Sequence, residues 1–389
     1  MRIGIVLPSV PAYSETFFLN KIKGLKEHGF TVVIFVNNSK KTTYNSSKIK
    51  TAPKLKGNRI VVMLVSIYKL IYSFMFHFKK SKNLYDLDGK DGVNFPQKLK
   101  NIISNSHILS ESVDWLHFGF GTMVLNKENV AKAIDAKMAV SFRGFDIGVF
   151  PLKNPNCYFK LWKKVDKIHV ISNDIKELVY QHGFEGKAEI VKITPAIDTT
   201  FFKNEEVHQY SKKNNFITIA RLNWKKGLVY TFEALALLKK DGIPFHYTII
   251  GGGAELERLK FAAHQLNISE QVTFSGKLEH NEIKNKLKNA DVYLQYSIQE
   301  GFCNSVLEAQ ALGLLCIVST AEGLPENVVD NETGWVIPKC NSEELAKKIK
   351  EVISLSDNRK LEIANNAKKR VSKHFTIEQQ QKQFNYFYE

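Results

Sequence analysis

Residues 291–320 read DVYLQYSIQEGFCNSVLEAQALGLLCIVST. Val292 to Tyr296 is an apolar run of strand length and Leu315 to Val318 is a second, so both are predicted as strands. Between them, Val306 to Leu312 reads as a helix, with Asn304 or Ser305 placed to cap its first turn. Strand, loop, helix and strand make a parallel βαβ unit, and a ligand belongs at the loop where the first strand ends. That loop holds Glu300, Gly301, Phe302 and Cys303, and the helix carries Glu308. Gly301 permits close backbone approach. One acid can meet a ligand at the loop while the other accepts hydrogen bonds a turn inside, and vicinal sugar hydroxyls are suitable donors. The plainer alternative is an acid beside a cap and an acid on a helix surface. Against it, Glu308 is followed by Ala309, Ala311 and Leu312, an apolar stretch where a solvated glutamate is unexpected.

The same grammar extends on both sides. Upstream, Phe216 to Ala220, Tyr247 to Ile250 and Val272 to Ser275 are predicted strands, with helices at Gly227 to Lys240 and Asn281 to Lys288. Downstream, Ser342 to Ser354, Arg359 to His374 and the tail Thr376 to Glu389 read as helices. Arg221 directly follows a strand, and Lys226-Gly227 opens a helix five residues later. Two cations with helix-terminal amides at the carboxyl edge of a sheet suit a diphosphate; alone, they read equally as solvated loop charges. Gly251 to Gly253 reads as a tight strand-to-helix turn, and Cys303 has no neighbouring base that would make it a nucleophile.

The first half repeats the pattern. Ile3 to Leu7 is a strand, a helix starts at Ser14 with Phe17, Phe18, Ile22 and Leu25 at helical spacing, and Thr31 to Val36 is the next strand. No GxGxxG follows the first strand, and Asn37-Asn38 stands where an acid would hold a ribose, which disfavours a nicotinamide dinucleotide. Asp114 to Phe118, Lys137 to Phe142, Lys167 to Ile171 and Glu189 to Ile193 are further strands, Pro195 to Phe202 an exit segment and Lys203 to Asn215 a linker. The chain is therefore expected to be α/β, with two Rossmann-like doubly wound domains facing a cleft. The expected division is 1–200, then 201–374, then a helix at 375–389 packing back on the first domain.

Length and composition agree: 389 residues, 44% hydrophobic and 24% charged, fill two globular domains and exclude wholesale disorder. The formal charge of +16 is uneven: residues 1–195 hold 30 basic and 15 acidic side chains, and the rest hold 25 and 24. Residues 40–100 alone carry 14 basic and 3 acidic groups. An anionic partner is expected near that segment, and without a helix-turn-helix or an RNA-binding aromatic signature it is not nucleic acid. Residues 60–78, IVVMLVSIYKLIYSFMFHF, have Lys69 at their centre and make a poor span. Flanked by Lys48, Lys50, Lys54, Lys56, Arg59, Lys79, Lys80 and Lys82, they read either as an interfacial anchor on anionic lipid or as a buried helix of the first domain. Four dispersed cysteines argue for a reducing compartment, and the five-residue apolar run at the start is a strand rather than a secretory signal. Asp86-Leu87-Asp88 mimics a metal motif but sits in a charged stretch away from the nucleotide-binding strands, so no metal is expected.

The strings ARLNWKKG (220–227), IIGGGAELERL (249–259), VTFSGKLEHNEI (272–283), the segment 290–320 and GLPENVVDNETGWVI (323–337) together resemble the donor domain of retaining glycosyltransferases of family GT4, which have the GT-B fold. LPSVPAYSETFFLNKIKGLKEHGF (7–30), HFGFGT (117–122) and SFRGFDI (141–147) resemble the subgroup of colanic-acid-like exopolysaccharide and surface-glycan assembly. The resemblance implies transfer from a UDP- or GDP-linked sugar as co-substrate, without another cofactor, to a lipid-linked or oligosaccharide acceptor, in the cytoplasm at the inner membrane face. It implies that Arg221 and Lys226 hold the diphosphate and Glu308 the ribose hydroxyls. Glu300, with the amides of Gly301, Phe302, Cys303, Asn304 and Ser305, would hold the sugar and distal phosphate. The Gly276 to Leu278 loop would lie beside the base, with Gly323 backing the pocket. In the first domain, Tyr13, Ser14 and Glu15 stand where many relatives have Gly-Gly, and Arg143 where many have His. Arg143 is expected to stabilise the departing phosphate, with Asp146 orienting it or meeting the acceptor; otherwise the two form a structural ion pair. His117 either lines the cleft or belongs to the core. A nucleotide-sugar epimerase and a catalytically silent sugar-binding relative are the alternatives.

Overall fold

The structure, a computed structural model, describes residues 1–11, 16–39, 42–44, 47–204, 206, 209–211 and 213–389. It has two compact units, Met1–Ile193 with Gln381–Glu389, and Thr194–Gln380. The exit segment from Pro195 thus goes with the second unit, and the boundary lies slightly earlier than residue 200.

The first unit runs β1 (Arg2–Ser9), α1 (Thr16–Glu27), β2 (Thr31–Asn38), β3 (Thr43–Tyr44), β4 (Ser47–Thr51), α2 (Arg59–Phe76), α3 (Phe78–Lys90) and α4 (Phe95–Leu109). It continues with β5 (Trp115–Phe118), β6 (Lys137–Phe142), β7 (Lys167–Val170) and β8 (Glu189–Lys192). Its sheet order is β3-β4-β2-β1-β5-β6-β7-β8, parallel except for the β3–β4 pair. Ile3, Ile5 and Leu7 on β1 pack with Phe17, Phe18, Ile22 and Leu25 of α1, and Phe384, Phe387 and Tyr388 of the last helix, Ile377–Tyr388, are buried in the same cluster. The strands expected from apolar runs are present within one or two residues at each end. β3 and β4 are not legible as apolar runs: in SKIKT only Ser47 and Ile49 are buried, and Lys48 and Lys50 reach the buried Glu111 at 2.8 and 2.9 Å. Burial alone would raise the Glu111 carboxyl, but the lysines hold it down at about 2.

α2 is the helix expected over the apolar run, and it is not a buried one. Asn58 caps it by accepting from the Ile60 amide, and Ser73 alone among its residues is buried. Ile60, Val61, Leu64, Ile67, Ile71 and Met75 are all exposed, although α2 packs on α4 and α3 along one side. Among the described residues it is the one helix long and apolar enough, by length and composition, to cross a membrane.

The second unit contains β9 (Asn215–Ile219), β10 (His246–Ile250), β11 (Val272–Gly276), β12 (Val292–Gln295), β13 (Leu315–Ser319) and β14 (Trp335–Ile337), ordered β11-β10-β9-β12-β13-β14 and all parallel. The chain moves outward from β9 on one side and from β12 on the other. The strand order therefore reverses between β9 and β12, and the loops after these two strands open the crevice where a doubly wound sheet binds ligands. Those loops are the ones holding Arg221 and Glu300.

Candidate functional site

The loop after β9 is short and braced. Arg221 is exposed at the strand end, Trp224–Lys226 form a single 3-10 turn, and Gly227 follows with φ +59°. A Cβ at Gly227 would sit 2.2 Å from the Tyr296 carbonyl, so a side chain cannot be admitted there. The Ile298 amide donates to the Lys225 carbonyl at 2.7 Å, tying this turn to the loop after β12. Gly251 and Gly253 press on the same loop from below: Cβ atoms there would lie 1.9 Å from the Ala220 carbonyl and 2.2 Å from that of Leu222. The glycine run thus supports the Arg221 loop as a tight turn.

Lys226 is paired with Glu300, the two side chains each 15% exposed. Burial pushes the Lys226 ammonium down, but Glu300 beside it overrides this and raises it above its ordinary value. The loop around Glu300 is fixed by groups that the sequence reading did not single out. The Glu300 amide donates to Glu322 at 2.8 Å, whose other oxygen pairs with Lys339 at 3.0 Å. Glu322 is held at φ +27°, a conformation costly for a residue with a side chain, and its carboxylate bonds sustain it. The Gly323 amide donates to the Glu300 carbonyl at 2.8 Å, and a Cβ on Gly323 would lie 1.8 Å from the Gly301 carbonyl. Gly323 thus packs directly against the Glu300 loop. Asn327 clamps Cys303 from both sides, accepting from its amide at 3.0 Å and donating to its carbonyl at 2.9 Å. Trp224, an exposed tryptophan between Arg221 and Lys226, is a further missed residue; an aromatic inside a cationic loop is the signal.

Gly301, Phe302 and Cys303 are buried, and Cys303 precedes the helix Asn304–Leu312. Burial pushes the Cys303 thiol up to about 11, so it is a protonated packing group beside Ser305 Oγ at 3.2 Å. Ser305 Oγ also accepts from the Tyr293 hydroxyl at 2.7 Å and donates to the Ile219 carbonyl at 3.3 Å, which seats the helix start against the end of β9. Asn304 is half-buried in this first turn, whose amides have no partners within the helix. One turn on, Glu308 is partly buried, and desolvation raises its carboxyl to about 7. Gly276 ends β11 with φ +69° and accepts from the Gly251 amide at 2.7 Å, with half-buried Leu278 just beyond.

The first-unit residues divide differently. Tyr13, Ser14 and Glu15 lie outside the described residues. His117 is fully buried, so the cleft-lining reading gives way to the core one: its Nε2 lies 2.7 Å from Ser141 Oγ and its Nδ1 2.7 Å from the Tyr388 hydroxyl. Ser141 Oγ continues to His169 Nδ1 at 2.8 Å, and Lys21 Nζ stands 3.1 Å from His117 Nδ1. Burial, and Arg143 after it, hold the Lys21 ammonium well below its ordinary value. Asp146 is likewise buried, and its two oxygens accept from the amides of Arg143 at 2.7 Å and Gly121 at 2.8 Å. Burial raises its carboxyl. Of its two expected roles, contact with an acceptor therefore gives way to an orienting one: Asp146 fixes the backbone of the Arg143 loop. The Arg143 guanidinium lies 3.8 Å from the Phe17 ring centroid and 4.7 Å from that of Phe18. Asp88 of the DxD string is buried, and its carboxylate accepts from Asn101 and Asn129 at 2.8 Å each. Among the described residues no group of three or more His, Cys, Asp or Glu is placed to hold a metal ion.

Comparison with known proteins fits this geometry. The family described as "Glycosyl transferases group 1" matches residues 200–370. WcaL of Escherichia coli strain K12, named for colanic acid biosynthesis, is 26% identical over 395 residues, covering 96% of each chain. The amylovoran biosynthesis glycosyltransferase AmsK of Erwinia amylovora is 26% identical over 377 residues, covering 89% of each. Among solved structures, HepE of Anabaena in complex with UDP-glucose superposes with a TM-score of 0.72 at 15% identity, over 99% of this chain and 98% of that one. Residues 200–370 thus match a glycosyltransferase group 1 domain of the GT4 type, and the fold is GT-B.

Proposed function

We propose that this protein is a retaining glycosyltransferase that moves a sugar from a nucleotide-sugar donor to a lipid-linked glycan acceptor during assembly of a surface polysaccharide. The observation that carries the reading is the switch point of the second sheet. There Arg221, the Lys226–Glu300 pair and the first turn of the helix bearing Glu308 adjoin at the carboxyl edge of the sheet. Relatives named for amylovoran and colanic acid biosynthesis support the polysaccharide, and a UDP-glucose complex on the same fold supports the donor.

In this reading Arg221 and Lys226 face the diphosphate, Glu308 accepts the ribose hydroxyls, and Glu300 orients the sugar while its partner lysine neutralises it. Because Glu300 is engaged by Lys226, it is poorly suited to attack the anomeric carbon. Transfer instead proceeds on one face of the sugar. The bond from the anomeric carbon to the diphosphate oxygen breaks, the acceptor oxygen bonds to the same carbon, and the acceptor proton passes to the departing phosphate. The cations supplied by the protein stabilise the charge that develops there, so no metal is required of the mechanism. The exposed face of α2, with Lys54, Lys56, Arg59 and Lys82 near its ends, rests on the anionic inner face of the cytoplasmic membrane.

The test is titration of UDP and of GDP into the full chain and into R221A and E308Q, followed by NMR of the product's anomeric coupling. One nucleotide binds, both substitutions weaken it, and the product keeps the donor's anomeric configuration. Inversion of configuration defeats the mechanism, and nucleotide affinity untouched by both substitutions defeats the site.

A further inference from the structure

A second crevice lies in the first unit, at the carboxyl end of β2 and just beyond β4. It is a cavity of about 870 Å³ whose lining includes Lys54, Lys56, Lys100 and Lys127 together with Asn37 and Asn38. Among the described residues no carboxylate lines it. None of its four lysines forms an ion pair among the described residues, unlike Lys48 and Lys50, which close on Glu111. Lys127 is half-buried, its Nζ donating to the Met123 carbonyl at 3.1 Å. His107, buried on the cavity wall and edge-on to the Phe35 ring, has an Nδ1 without a hydrogen-bond partner among the described residues. Lys54, Lys56 and Lys100 are exposed, and four cations with several amides around one volume suit a multiply charged anion.

The cavity does not end there. Gln97, Asn101, Leu125 and Asn126 also line a neighbouring cavity of about 670 Å³ of different chemistry. Its walls hold Asp88, Asp91, Asn129 and Asn156, with the exposed ring of Phe159 at the side. The polar groups are locked in place: Asn129 donates to Asp88 and to Asp91 at 2.8 Å each, and Gln97 donates to Asn101 at 2.7 Å. A small number of fixed amides and carboxylates converging on one volume beside an aromatic face suits a ligand rich in hydroxyls. α2 begins at Arg59, three residues after Lys56, and carries the exposed apolar face.

The geometry points to a single acceptor site of three parts. A phosphorylated group, in the form of a diphosphate, sits among Lys54, Lys56, Lys100 and Lys127. The sugar attached to it occupies the amide-lined cavity. The isoprenoid or acyl chain on the other side of the diphosphate lies along α2. The assignment of this ligand as acceptor rests on the transferase reading above; the anion site itself does not.

The probe is inorganic pyrophosphate, titrated into the full chain saturated with UDP so that the donor site is filled. One pyrophosphate site is expected, weakened at least tenfold in K54Q/K100Q/K127Q, whose UDP affinity and melting temperature stay as in the parent. K100Q alone, weakened by a smaller factor, serves if the triple variant fails to fold. No pyrophosphate binding, or binding that survives the lysine substitutions, overturns the site. Absence of UDP binding in a separate titration defeats the donor reading and leaves the pyrophosphate result standing. The lipid-borne source is separated from a soluble one by flotation with phosphatidylcholine vesicles, with and without polyprenyl diphosphate. A gain on the diphosphate vesicles that the lysine substitutions abolish supports the assignment. Pyrophosphate binding without that gain overturns the lipid-borne acceptor.

Discussion

At the scale of single residues, the cations of the proposed donor site are unequal. Arg221 is exposed at a strand end, whereas Lys226 is sequestered against Glu300. In the proposed mechanism both stabilise the leaving diphosphate, so R221A and K226A should each slow the chemical step about 100-fold, roughly 3 kcal/mol. They should differ in stability. R221A leaves the melting temperature unchanged, while K226A strands a partly buried Glu300 and lowers it, at a cost of about 1–3 kcal/mol by denaturant titration. Glu308 predicts a pH dependence. Its carboxyl sits at about 7 because burial disfavours the charged form, and only the ionised form is a full acceptor for ribose hydroxyls. Donor affinity should therefore fall as pH drops below about 7, and E308Q should bind weakly without that dependence. The folded value lies above the unfolded one, so the protonated side chain favours the fold below about 4.5 and that contribution is lost as pH rises towards 7. E308Q should accordingly gain melting temperature at pH 8 relative to the parent, measured by calorimetry. Arg221, Lys226, Glu300 and Glu308 stand out in the sequence because a charge at a strand end or in an apolar helix breaks the local pattern, and the structure brings Lys226 and Glu300 together. His117, Lys21 and Tyr388 do not stand out, since a buried polar network joins residues more than 270 positions apart and no local window contains both ends.

At the scale of elements, the two loops of the proposed donor site are set by backbone contacts that admit no side chain. Gly323 has an ordinary φ, yet any Cβ on it collides with the Gly301 carbonyl at 1.8 Å. G323A should displace the Glu300 loop, lower stability by about 1–3 kcal/mol and reduce donor affinity at least tenfold in a nucleotide titration. α2 offers the opposite case. Leu64 and Met75 are exposed, so L64E and M75E should leave stability within about 0.5 kcal/mol. Both should weaken flotation with vesicles containing anionic lipid; parent-like flotation by both would remove the membrane role. Apolar periodicity identified α2 as a helix but could not say which side faces solvent, because exposure depends on α3 and α4, whose residues 78–109 are polar enough to hide their helices. β4 escaped for a related reason, its alternating lysines being paired by Glu111 from far along the chain.

At the scale of the whole molecule, strand alternation made two doubly wound units legible from apolar runs alone, since parallel strands buried on both faces read as continuous hydrophobic segments. Strand order was not legible, and it is strand order that brings the loops after β9 and β12 together. The chain's last residues close the first unit's core. Phe384, Phe387 and Tyr388 are buried there, and each fully buried aromatic contributes on the order of 1.5–3 kcal/mol. Deleting Gln381–Glu389 should therefore remove stability comparable to that of a whole domain, about 5–15 kcal/mol. Limited proteolysis should find the first unit digested and the second intact.

The central claim is acceptor-dependent transfer from a nucleotide sugar, and mass spectrometry tests it most directly. The full chain is incubated with a panel of nucleotide sugars, with and without a lipid-diphosphate-linked glycan. The expected result is one donor for which the acceptor gains the mass of a single sugar and the nucleoside diphosphate is released, both only when acceptor is present, and about 100-fold more slowly with R221A. A nucleotide sugar converted to an isomer without acceptor, or bound and left unchanged across the panel, would contradict it.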